Sequence, residues 1–261
     1  MSIPIKGYEQ VSVQRFQAGQ SQATFDEVVQ EYPIALVYNG ISHAVMMATP
    51  VDIEVFAKGF SLSEGIISSL SELYAIEVHY NSLGIQVEME ISTRAFVALK
   101  QQRRALIGRT GCGLCGIESL KQFHFDLKTI SHKANLNWLK DIPNAIQQLK
   151  QNQPISAVTG GAHAAAWVEN GNIVALFEDV GRHNALDKLL GFIATENIAR
   201  SNGFVVMTSR ASYELIRKCA IFDIAMIATI SAPTSMAIEM AKTAGMTLVS
   251  FCRQNGFVCY G

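Results

Sequence analysis

From residue 154 onward, alanine- and valine-rich apolar runs alternate with amphipathic helical patterns, and this alternation limits the fold more than any other feature of the chain. The spacing predicts strands at 155–158, 164–168 and 172–177 and a helix at 184–197. A strand at 203–208, a helix at 211–220, a strand at 224–230 and a helix at 235–244 follow, and strands at 247–252 and 257–260 close the chain. Strands that alternate with helices point to a mostly parallel sheet covered on both faces.

The first hundred residues read differently, as strands around one helix. Two apolar runs meet at Asn39-Gly40, a strong hairpin signal. Val55, Phe56, Phe60, Leu62 and Ile66 recur at roughly helical spacing within 52–67, and two further strands flank a turn at 81–84. The expected fold is α/β in the broad (α+β) sense. A small, strand-rich α+β domain spans 1–104, a connector with a helix at 138–150 spans 105–153, and an α/β domain spans 154–261.

Charged residues make up 16% of the 261 and apolar residues 49%, against roughly 25% charged in soluble domains, so a compact fold with a sizeable interface is expected. A net charge of −1 gives no footprint for nucleic-acid binding; the nearest basic patch is Arg103, Arg104 and Arg109. The opening MSIPIKGYEQ lacks a signal peptide's apolar stretch, and no run nears the roughly 18 apolar residues that span a membrane. "IFDIAMIATIS", broken by Asp223, reads as a buried strand. Five cysteines, only two of them closely spaced, suit reduced thiols and a cytoplasmic protein.

Those two are Cys112 and Cys115, in "TGCGLCG" on the connector. Three chemistries use this spacing: metal binding, disulfide exchange and sulfur carriage. Structural zinc needs four ligands, but no second CxxC exists, and seven residues separate His124 from His132 where three to five is usual. Disulfide exchange of the thioredoxin kind places CxxC at a helix start after a strand, and these glycines weaken any such helix. Simple packing is also a weak reading, since three glycines offer little surface to pack against. A glycine-rich arm with exposed thiols, beside arginines that stabilise a thiolate, suits a sulfur that is loaded at one site and delivered at another.

Strand-to-helix turns supply a second candidate site. "ALFEDVGRHNALDKLLG" places Gly181 at a turn and Arg182, His183 and Asn184 at a helix start. Thr208, Ser209 and Arg210 repeat the geometry, as do Pro233, Thr234 and Ser235. Helix N-termini bind anions, and ligands of open sheets sit beyond the carboxyl ends of strands. The three turns therefore suit a phosphate-bearing ligand. His163 is expected in a structural role: no Glu follows it by two residues and no PCxxC follows, which argues against zinc deaminase chemistry.

"GRTGCGLCG", "TGGAHAAAW", "FEDVGRHNALDKLLG", "TSRASYE" and "GMTLVSFCR" resemble, in order and spacing, the motifs of the FdhD family of formate dehydrogenase accessory sulfurtransferases. The resemblance implies a second domain like cytidine deaminase without its zinc, and a homodimer. It implies that Cys112 carries a persulfide received from a cysteine desulfurase, with Cys115 supporting it. The acceptor implied is the molybdenum, or tungsten, of bis-molybdopterin guanine dinucleotide, destined for formate dehydrogenase, with GDP as an analogue. By the same resemblance Phe251, Cys252, Arg253, Gln254, Asn255 and Gly256 bind this cofactor, and Gly181, Arg182, His183, Ser209 and Arg210 are further candidates. Arg210 and Arg253 are the arginines expected to pair with nucleotide phosphates. No metal of the protein's own and no membrane contact are expected. The rival reading is a cofactor-binding chaperone with structural cysteines. Cys219 reads as helix packing and Cys252 as a strand residue. The terminal Val258, Cys259 and Tyr260 depart from the family's usual close.

Overall fold

The computed structural model describes residues 6–107 and 129–260. Cys112, Cys115, Arg109 and His124 lie outside the described residues.

Strands β1 (Tyr8–Gln17) and β2 (Gln20–Val29) form a two-stranded ribbon of their own. Strands β3 (Tyr32–Tyr38) and β4 (Ile41–Ala48) follow. Their turn has Asn39 at φ 46° and Gly40 at φ 76°, the two left-handed positions that a tight hairpin turn requires. Helix α1 (Ile53–Ser63), strands β5 (Leu73–Asn81) and β6 (Gly84–Ile91) and helix α2 (Thr93–Ile107) complete the unit. The sheet order is β4-β3-β6-β5, with β3 and β6 parallel. The sequence reading expected one helix here. The second, α2, buries Ala95 and Leu99, one turn apart, a stripe too narrow to stand out among its arginines and glutamines.

The connector's expected helix is present as a 3₁₀ turn, Leu136–Asp141, leading into α3 (Ile142–Gln151). Residues 155–158, expected to be a strand, belong instead to a short helix α4 (Pro154–Thr159). Pro154 occupies its first turn, and the Glu178 carboxylate accepts the N–H groups of Ile155 and Ser156, both at 2.8 Å. Gly160 ends it at φ 64°. A carboxylate 22 to 23 residues away thus stabilises a helix start that local sequence does not reveal.

The remaining elements follow the expected order: β7 (His163–Glu169), β8 (Asn172–Asp179), α5 (Arg182–Thr195), β9 (Gly203–Met207), α6 (Tyr213–Ile221), β10 (Met226–Thr229), α7 (Ser235–Ala244), β11 (Thr247–Arg253) and β12 (Gly256–Tyr260). They make a sheet ordered β12-β11-β10-β9-β7-β8. The sheet is mixed rather than mostly parallel. Only β9, β10 and β11 run parallel, while β7 opposes β8 and β9, and β12 opposes β11. Tight turns are the cause: Asn170 and Gly171, at φ 49° and 77°, reverse the chain between β7 and β8, and short hairpins pair antiparallel. Both faces are covered, because successive residues Ala164 to Val168 are all fully buried and β9 and β10 are buried throughout.

Helix α1 of the first unit lies directly on α5 of the second. A Cβ on Gly59 would stand 1.8 Å from the Asp187 carbonyl oxygen, and one on Gly191 would stand 2.0 Å from that of Val55. These glycines let the two backbones touch. Around this contact sit two apolar cores, one built from residues 34–99 and one from 130–252.

Candidate functional site

Strands β8, β9, β10 and β11 all end on one rim of the sheet, and antiparallel β7 begins there. Thr208 binds this rim together: its N–H donates to the Ala164 carbonyl at 3.1 Å, and its Oγ1 accepts the Ala164 N–H at 2.9 Å. His163 Nδ1 lies 3.5 Å from the same hydroxyl. Farther along, the Ser231 N–H donates to the Ser209 carbonyl and the Phe251 N–H to the Ser231 carbonyl, both at 3.3 Å. Of the turns singled out from the sequence, the second and third are linked backbone to backbone, the Ala211 N–H donating to the Ala232 carbonyl at 3.2 Å and the Thr234 N–H to the Ala211 carbonyl at 3.0 Å. The Gly181 turn follows Asp179, which pairs with His163 of β7.

Helix α5 starts at Gly181 and α6 at Ser212, and neither has a side-chain cap, whereas Thr234 caps α7 by accepting the Ala237 N–H. Arg182 Nε and Ser212 Oγ are buried without a hydrogen-bond partner among the described residues. Unmet donors beside uncapped helix starts form a place for anionic oxygen. His183 Nε2 lies 2.5 Å from Glu214 Oε2. Burial holds the His183 imidazole below its usual range; Glu214 opposes this and Arg182 adds to it. Burial likewise lowers His163, helped by the positive charge of Arg182 and of His183 and opposed by Asp179. His163, Arg182, His183, Thr208 and Glu214 thus form one half-buried polar group. Of these, Thr208 was singled out with its turn, His163 was read as structural, and Glu214 was not named; the signal for Glu214 was its place in a first helical turn.

The other candidates are spread along the rim. Ser209 is buried, and its hydroxyl donates back to the Arg210 carbonyl at 3.1 Å, while the Arg210 side chain is exposed. Phe251 is 43% exposed at φ 56°, a left-handed conformation rare for an aromatic residue. It lies at an irregularity in the β11–β12 pairing between Ser250 and Arg253. Arg253 Nη1 donates to the carbonyls of Ile230, at 2.5 Å, and Cys252, at 2.8 Å, so this guanidinium braces the rim. Gln254 and Asn255 form the exposed turn before Gly256. Cys252 is fully buried and its thiol is pushed up to about 12 by burial, so it faces the core rather than a ligand. Cys219, in α6, is buried with its thiol likewise pushed up to about 12.

Much of the "EDVGRHNALDK" stretch has a task that the sequence reading missed. Asp179 and Lys188 are fully buried and pair at 2.7 Å. Asp179 also accepts the Thr49 N–H at 3.0 Å, and Asn184 donates to the Met47 carbonyl at 2.8 Å. Lys218 meets Asp187 at 2.9 Å and Glu64 at 2.8 Å, and Ser63 donates to Asp187 at 2.7 Å. Within the second unit Asp179 pairs with Lys188 and Asp187 with Lys218, and the first unit adds backbone groups at the end of β4 and Ser63 and Glu64 at the end of α1. This network holds the rim's residues against the first unit. At the opposite end of the helices, a cavity of about 700 Å³ opens among Leu62, Ile67, Ala194, Arg200, Phe222 and Asp223, away from the strand-end site.

Comparison with known proteins adds a different kind of finding. Residues 29–261 match the model of the FdhD/NarQ family. The chain is 59% identical to "Sulfur carrier protein FdhD" of Acinetobacter baylyi, over 98% of this chain and 93% of that protein. It is 50% identical to the protein of the same name from Chromobacterium violaceum, over 98% and 96%. Its fold matches the crystal structure of a candidate formate dehydrogenase accessory protein from Desulfotalea psychrophila with a TM-score of 0.74, at 23% identity, over 97% and 96% of the two chains.

Proposed function

This chain belongs to the FdhD/NarQ family, and from that membership we propose that it is a sulfur carrier serving formate dehydrogenase. The observation that carries the reading is near-full-length identity of 59% and 50% to proteins named as sulfur carriers, in a chain that also holds the CGLCG pair. Cys112 is the carrying residue. Its thiolate attacks the terminal sulfur of a cysteine desulfurase persulfide; a new S–S bond forms on Cys112 and the donor cysteine leaves as thiolate. Delivery as sulfide is balanced by Cys115: its thiolate attacks Sγ of Cys112, closes a disulfide and expels hydrosulfide, and a cellular dithiol reduces the disulfide afterwards.

The substrate that receives the sulfur is the metal of bis-molybdopterin guanine dinucleotide. The strand-end rim supports this part of the reading. Arg182 Nε, Ser212 Oγ and two uncapped helix starts suit phosphate oxygens, exposed Arg210 adds a cation, and exposed Phe251 offers a ring face for a guanine base. The protein works as a homodimer in the cytoplasm. Formate dehydrogenase made in cells lacking this chain, and supplied with wild type or Cys112→Ala, tests the function. Activity restored by wild type alone supports it, and equal restoration by both assigns the chain a role without sulfur on Cys112.

A further inference from the structure

The ribbon of β1 and β2 contributes no residue to either core, although β2 rests on α4. Its two strands of 10 residues pair only with each other. The register sets Ser12 opposite Phe25, Gln14 opposite Ala23 and Phe16 opposite Ser21, so these six side chains share one face. On that face Phe16 is 77% exposed and Phe25 63% exposed. A lone two-stranded hairpin is marginally stable in water, and exposed aromatic residues on it mark a contact surface. The ribbon also lies almost wholly outside residues 29–261, the part that matches the family model.

We propose that the phenylalanine face of this ribbon docks on a second copy of the chain, each copy receiving the other's ribbon about a twofold axis. The inference rests on the homodimer of the reading above and names the surface that forms it. Area favours a second copy over a foreign protein. Ten-residue strands are about 33 Å long and the pair about 10 Å wide, so one face covers roughly 350 Å². Stable interfaces bury on the order of 600–1,000 Å² per partner. One ribbon laid on a foreign protein falls short, whereas reciprocal exchange doubles the area per copy and reaches that range. A receiving surface is present on edge strand β4, where Val45 and Met47, two residues apart and so on one face, are 60% and 47% exposed.

Sedimentation equilibrium of the full chain tests this with three paired variants: Phe16→Ser with Phe25→Ser, Val45→Ser with Met47→Ser, and the conservative Phe16→Leu with Phe25→Leu. Wild type is expected to be a dimer. Each serine pair removes four anchors from the twofold dimer, two from each copy, and should raise the dimer dissociation constant roughly 10,000-fold, about tenfold for each anchor lost, while the leucine pair stays close to wild type. All these side chains are exposed in the single chain, so circular dichroism should stay near wild type and show that the variants fold. A dimer that the Phe16→Ser, Phe25→Ser pair leaves as tight as before overturns the ribbon's role and spares the homodimer. A monomeric wild type overturns both. Persulfide loading, read on the same samples, is independent of either result.

Discussion

Arg182 and Ser212 each bury a donor that finds no acceptor among the described residues, beside two helices without side-chain caps. Leaving such groups unmet costs on the order of 1–3 kcal/mol each, a cost that a bound anion removes. If the rim takes nucleotide phosphate, Arg182→Ala should weaken GDP binding by about 1.5–3 kcal/mol in calorimetry. Unchanged affinity would move the phosphate elsewhere. The two histidines beside Arg182 make a separate prediction. Both are held below their usual range, chiefly by burial, so as pH falls the unfolded chain, near 6.5, takes up protons first. Their contribution to stability is therefore present above about pH 6.5 and is lost as pH falls through the depressed folded values. Melting temperature should drop between pH 7.5 and 5.5, and a His163→Gln, His183→Gln variant should flatten that slope. The same residues show what sequence can reveal. Arg182 and His183 were legible from their place at a helix start. The buried Asp179–Lys188 pair was not, because the partners that satisfy it come from Thr49 and its neighbours, about 130 residues away.

Helix α1 meets α5 through Gly59 and Gly191, and no side chain larger than hydrogen fits at either point. Gly59→Ala should force the backbones apart and cost about 1–3 kcal/mol or more, seen as a melting temperature lower by several degrees. A variant as stable as wild type would mean that the two helices can part without loss. The strand-and-helix alternation of the second unit was legible because apolar period separates long elements well, and α7 falls on the expected residues. The six-residue "PISAVT" was not, since a short, partly β-branched run fits strand or helix and the distant Glu178 decides between them. The parallel sheet was over-read for a related reason. Alternation describes β9 to β11 well, but hairpins at both ends of the sheet add antiparallel neighbours.

The whole molecule joins two cores through buried charge rather than apolar contact alone. Removing one partner of such a pair leaves the other uncompensated, so Asp179→Ala, which leaves the buried Lys188 ammonium without its carboxylate, should cost roughly 3–5 kcal/mol. Calorimetry should show wild type unfolding in one transition and the variant melting lower; two unchanged, separate transitions would show that the network does not couple the units. Such a frame holds the strand-end rim fixed, and the chemistry proposed above falls to the cysteine pair encoded between the units. Sulfur on Cys112 is the centre of the account, and mass spectrometry of the intact protein reads it directly. Protein incubated with a cysteine desulfurase and L-cysteine, without reductant, should gain about 32 Da, and thiol should remove it. Cys112→Ala should gain nothing while folding as wild type does, and Cys115→Ala should still load. Loading of Cys112→Ala to the wild-type level, or no gain in any of the three proteins, would contradict the account.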